Sequence, residues 1–191
     1  MDQTKQPKGN FVGFGNRYKQ ANDKRPNFNG RIAVPGSERE FRMALWAGQD
    51  RNGQVMFTGR TSDISTSDTA LEQIDTMAGV GTDARMLAEN NLKLAPGQIV
   101  LFRNSYKDEA SPARPDFYGR WNPGTGDQLV NVSVWARKSK TNQAMLTGQT
   151  QYPLPGKGLE EAAQAQADDA ALAGDELGLE EAVRKARSGR T

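Results

Sequence analysis

The chain has 191 residues with 25 Lys and Arg against 23 Asp and Glu, and it contains neither histidine nor cysteine. Those two absences exclude disulfides, thiolate and imidazole metal ligands, and nucleophiles activated by histidine. The carboxylate doublets Glu160–Glu161, Asp168–Asp169 and Glu180–Glu181 all fall near the C-terminus, where they read as solvated helix faces and not as a Mg2+ site, so the expectation is a non-enzymatic protein without cofactor.

Taken in chain order, the N-terminal MDQTKQPKGN has no apolar stretch of the kind that makes a signal peptide. Residues 10–19, NFVGFGNRYK, read as a first strand. The Arg25-Pro26 step disfavours helix and leads into a second strand, NFNGRIAV. Residues 40–46, EFRMALW, alternate strictly: Phe41, Met43 and Leu45 share one face, and Arg42, Ala44 and Trp46 share the other. Arg51-Asn52-Gly53 is a turn signal, and VMFTGRT supplies the partner strand of the hairpin.

A connecting segment follows. Ser67 or Asp68 caps an expected helix over 69–78, which Gly79 and Gly81 end, and a further turn runs to about residue 90. The strand pattern then recurs as QIVLFRNSYK, DFYGRWN, LVNVSVW and AMLTGQT. After Pro155 the composition turns to Ala, Glu and Gln, with a helix expected over 177–186, where acids lead and bases follow in keeping with the macrodipole. No apolar run approaches the ~20 residues of a membrane helix, so a cytoplasmic protein without membrane contact is expected.

The recurrence is a duplication. Phe14, Asn16, Tyr18 and Lys19 precede Phe102, Asn104, Tyr106 and Lys107 by 88 positions. Across a loop one residue longer the offset becomes 89, and Arg25, Pro26, Phe28, Gly30 and Arg31 match Arg114, Pro115, Phe117, Gly119 and Arg120. The same offset pairs Trp46 with Trp135 and Gly59 with Gly148. Internal repeats of this kind set the architecture. The fold expected is mainly β with short helices: two small, OB-like β-sheet or barrel modules at 1–61 and 99–152, a helical bridge at 62–98, and a flexible acidic tail with a C-terminal helix at 153–191.

Charge follows the same division. Residues 1–60 carry eleven bases and five acids, and residues 99–152 carry seven and four, whereas the bridge and the tail are net acidic. Basic modules favour polyanions. Trp46 and Trp135, alternating with small and polar residues, suit a stacking platform for unpaired bases, with Tyr18 and Tyr106 extending it. Cations flanking these rings, to hold phosphates, are Arg17, Lys19, Arg31, Arg42, Arg51 and Arg60 in the first repeat. In the second they are Arg103, Lys107, Arg120, Arg137, Lys138 and Lys140. The competing reading packs both tryptophans in a second small core. Phe28 and Phe117 read as packing residues, and Gly30 and Gly119 as sites of bending.

The pattern F-x-N-x-x-K, P-[ND]-F-x-G-R, W-A and T-G resembles small phage and plasmid β-domain proteins of the OB-fold-like single-stranded DNA-binding type, here as a tandem duplication. The resemblance implies a sequence-tolerant single-stranded DNA-binding protein acting in phage replication or recombination. The chain ends KARSGRT and lacks the acidic, Phe-terminated tip through which bacterial proteins of that type recruit partners. A different class of function is a phage structural or host-takeover protein that binds a protein partner, or a second copy of itself, through its β modules and C-terminal helix.

Overall fold

The computed structural model describes residues 6–64, 92–126 and 128–154. Eight strands form in the order expected: β1 (Gly9–Gly15), β2 (Phe28–Ala33), β3 (Glu40–Gln49), β4 (Val55–Asp63), β5 (Gln98–Arg103), β6 (Phe117–Trp121), β7 (Val130–Lys138) and β8 (Ala144–Gln151). Every neighbour in sequence is an antiparallel neighbour in space, and β8 pairs with β1, closing one barrel.

The two-module expectation is therefore overturned: the repeats are the halves of a single barrel. Four strands are too few to close around a filled interior, and an open four-stranded meander leaves two edges of unpaired backbone groups. Joining two meanders edge to edge pairs all of them. An eight-stranded meander barrel also differs from the five-stranded Greek-key OB-fold in strand number and connectivity, though both are closed β structures. No helix occurs among the described residues, so none there is long and apolar enough to cross a membrane. Of the expected bridge, residues 62–63 continue β4 and 92–97 are irregular; the expected helices at 69–78 and 177–186 lie outside the described residues.

The two seams between the halves have equivalent registers. Phe14 faces Met145 and Phe11 faces Gly148 where β1 meets β8; Phe102 faces Met56 and Ile99 faces Gly59 where β5 meets β4. With the repeat offsets, these are the same pairs. The duplication is thus expressed as a pseudo-twofold axis along the barrel.

Alternation sends one side chain in two to the interior. Phe11, Ile32, Phe41, Met43, Leu45, Phe57, Ile99, Leu101, Trp121, Val130, Val132, Val134 and Leu146 form the core. Phe28, Phe57 and Phe117 meet edge to face near one end, at centroid distances of 5.5 Å and 5.0 Å, and Phe41 meets Trp121 at 5.3 Å near the other. The expected packing role of Phe28 and Phe117 is seen. Gly30 and Gly119 allow close strand approach: a Cβ at either would overlap the carbonyl oxygen of Val12 or Val100 on the neighbouring strand. Glycine at these equivalent places lets the sheet coil tightly enough to close.

A candidate nucleic-acid interface at one end of the barrel

In an up-and-down barrel, alternate connections emerge at the same end. One end carries the two long loops, 16–27 and 104–116, and the two tight turns at 50–54 and 139–143. The other carries the remaining connections together with the first and last described residues.

Each long loop is built by the residues that mark the repeat. Asn16 donates from Nδ2 to the Pro26 carbonyl at 3.0 Å and accepts the Tyr18 amide on Oδ1 at 3.1 Å. Asn104 does the same with Pro115 and Tyr106, at 2.9 Å and 3.1 Å. The loop is then pinned to the barrel wall. Asn27 accepts the Ala47 amide and Asp116 the Ala136 amide, each at 2.9 Å. Trp46 donates from Nε1 to the Lys24 carbonyl at 2.8 Å, and Trp135 to the Ala113 carbonyl at 2.9 Å.

Those last bonds change the part given to the tryptophans. Both project from the outer wall, as the alternation implied, but each lies under the loop of its own repeat. Trp46 is only 4% exposed and Trp135 is half-buried. Trp46 presents no open ring face, so the pair does not form an open stacking platform. The indoles act instead as pins beneath the loops.

What the loops present outward is tyrosine. Tyr18 is 78% exposed and Tyr106 is 54% exposed, in equivalent places on opposite sides of the same rim. The two long loops and two turns, with the adjoining strand ends (15–27, 47–55, 103–116 and 136–144), hold eleven Lys and Arg against five Asp and Glu, a net charge of +6.

The acids are largely committed to building the loops. Asp23 accepts the Arg25 amide and lies against the Arg25 guanidinium, Asp108 accepts the Ser111 hydroxyl, and Asp116 lies 2.9 Å from Lys107 Nζ. The Arg25 amide, with its guanidinium, holds the Asp23 carboxyl below its usual range, and the Ser111 hydroxyl does so for Asp108.

The sequence-predicted cations separate into three groups. Arg17, Arg51, Arg103, Arg137, Lys138 and Lys140 are exposed at this end. Arg17 also donates to Thr141 Oγ1 at 2.9 Å, tying the first long loop to the turn of the other half. Lys19 and Lys107 lie here too but are used internally: Lys19 Nζ donates to the Asp23 and Arg25 carbonyls, and Lys107 pairs with Asp116. Arg31, Arg42, Arg60 and Arg120 are elsewhere, on the outer wall of β2, β3, β4 and β6. Arg31 is exposed opposite Arg42, Arg60 is half-buried, and Arg120 is buried, its pKa lowered by desolvation.

Lys24, Arg25 and Arg114 join the charged end, though in the sequence Arg25 and Arg114 stand out only as repeat markers and Lys24 not at all. Their signal was position in a loop whose ends are held by a shared Asn and Trp. Among the described residues, no group of three or more carboxylates could hold a metal ion. No protein-family model, curated protein or solved structure matches the chain.

Proposed function

We propose that the protein is a non-enzymatic, sequence-tolerant binder of single-stranded nucleic acid, with DNA as the favoured ligand, acting in the cytoplasm in replication or recombination. The supporting observation is the pair of exposed tyrosines, Tyr18 and Tyr106, repeated at one barrel end of net charge +6. A ring that can take a base on its face, beside cations that neutralise phosphates, matches how unpaired strands are held without base readout. The resemblance of the repeat pattern to phage and plasmid DNA-binding modules points the same way.

Titrating fluorescent oligo-dT at low and high salt tests the reading. Binding at micromolar protein is expected, with affinity falling steeply as salt rises because neutralised phosphates release counterions. Tyr18→Ala and Tyr106→Ala should each weaken binding about tenfold, from the ~1–3 kcal/mol of a stacked base, without moving the melting temperature. Failure to bind at low salt removes the proposal.

A further inference from the structure

The pseudo-twofold axis makes any difference between the halves informative, and the largest lies on the outer wall. On β4–β5–β6, Met56, Val100, Phe102 and Tyr118 form a second apolar cluster beneath Leu92 and Leu94, which end the connection from the first repeat. The equivalent wall is β8–β1–β2, where Met145, Val12, Phe14 and Asn29 replace them. There no equivalent cover is found among the described residues. Phe102 is 0% exposed, but Phe14 is 44% exposed; Met145 and Val12 are only half-buried. Arg120 is buried, whereas its counterpart Arg31 is exposed. At the sequence positions equivalent to Leu92 and Leu94 the first repeat has polar Thr4 and Gln6.

We propose that this bare wall is the seat of the chain's own acidic segment, residues 159–182. Position favours it. The chain leaves β8 as the bridge leaves β4, at the strand end beside the start of the next strand round the barrel. From Gln151 back to Met145 is roughly 20 Å along the strand, a gap that the residues after Leu154 span with length to spare. Charge favours it as well. Residues 159–182 carry eight carboxylates and no base, together with Leu159, Leu172, Leu177 and Leu179. The wall offers apolar Val12, Phe14 and Met145 flanked by Arg31, Arg42 opposite it, and Arg137 opposite Met145. Leucines meet the apolar centre and carboxylates meet the arginine margin. The inference does not depend on nucleic-acid binding, although Arg137 borders both surfaces: it rests on the unequal cover of equivalent walls and on the position and charge of the segment.

The test is photocrosslinking of the full chain, with p-benzoylphenylalanine introduced as Phe14→p-benzoylphenylalanine. Asn29→p-benzoylphenylalanine, at the exposed cross-strand neighbour, serves if the first substitution perturbs folding. Because 159–182 holds no Lys or Arg, trypsin releases it within one peptide, 158–184. An adduct of that peptide in a product of monomer mass is the expected result. Adducts at doubled mass would place a second copy on the wall instead, and adducts confined to barrel residues, or none, would leave the wall uncovered. Any of those outcomes overturns the proposal. The matched Phe102→p-benzoylphenylalanine probe should capture the tryptic peptide 86–93, which ends in Leu92-Lys93, showing that the chemistry reports cover.

Discussion

Asn16 and Asn104 show how one side chain can fix a loop: a single amide donates to a carbonyl ten or eleven residues on and accepts the amide two residues on. Each tyrosine follows directly from that turn. The shared letters N-x-Y-K are therefore structural at Asn and Lys and outward-facing at Tyr. Asp23 and Asp108 add a pH dependence of definite sign. Their folded pKa values lie below the ordinary 3.8, so the loop stabilisation they give is complete above that value and is lost as pH falls through the depressed one. Following the Tyr18 and Tyr106 amide resonances from pH 7 to pH 2 should show flat shifts down to about pH 4 and movement below it. Asp23→Asn should abolish the low-pH step at Tyr18 alone; movement beginning near pH 6 would contradict this account. These tyrosines stand in the repeat pattern, but strand alternation alone points more strongly to the tryptophans. Alternation gives the face of a strand, not whether a loop from elsewhere folds over that face.

Among the elements, the strands were legible because period-two alternation and the turn residues coincide. Gly53 has φ 74° in the first hairpin, and Asn142 has φ 59° in its counterpart, where no glycine marked the turn. Barrel closure was not legible: which edge a four-stranded meander pairs with is a long-range fact that no local pattern encodes. Two substitutions test the element-level account. Gly119→Ala would drive a methyl group into the Val100 carbonyl on β5 and should cost about 3 kcal/mol in chemical denaturation, or prevent folding. A loss under ~0.5 kcal/mol would mean that β5 and β6 are less closely approached than described. Trp46→Ala removes a buried indole and its hydrogen bond to the Lys24 carbonyl, and should cost about 3–5 kcal/mol. An unchanged melting temperature after that substitution would return Trp46 to the role of an open stacking residue.

At the scale of the whole molecule, the unequal charge of the segments acquires a geometry. The basic loops of both repeats gather at one end, while the connections at the other end include the Arg39–Asp63 ion pair at 2.8 Å. Strand order alone dictates that polarity, because odd-numbered connections in a meander share an end. The sequence showed that the repeats are basic but not that their loops converge, since convergence follows from closure. Closure also makes each half dependent on the other, because the core draws on both repeats throughout. Residues 1–64 expressed alone should give collapsed amide dispersion in an NMR spectrum, or else self-associate. A well-dispersed spectrum from a monomeric half would show that one repeat folds unaided.

The matching seams carry a further consequence. A half that meets its complement through identical registers on either side cannot distinguish the complement on its own chain from the one on a neighbouring molecule. Refolding from denaturant at high concentration should therefore yield reciprocally exchanged dimers, each containing two ordinary barrels, that persist after dilution and revert only through unfolding.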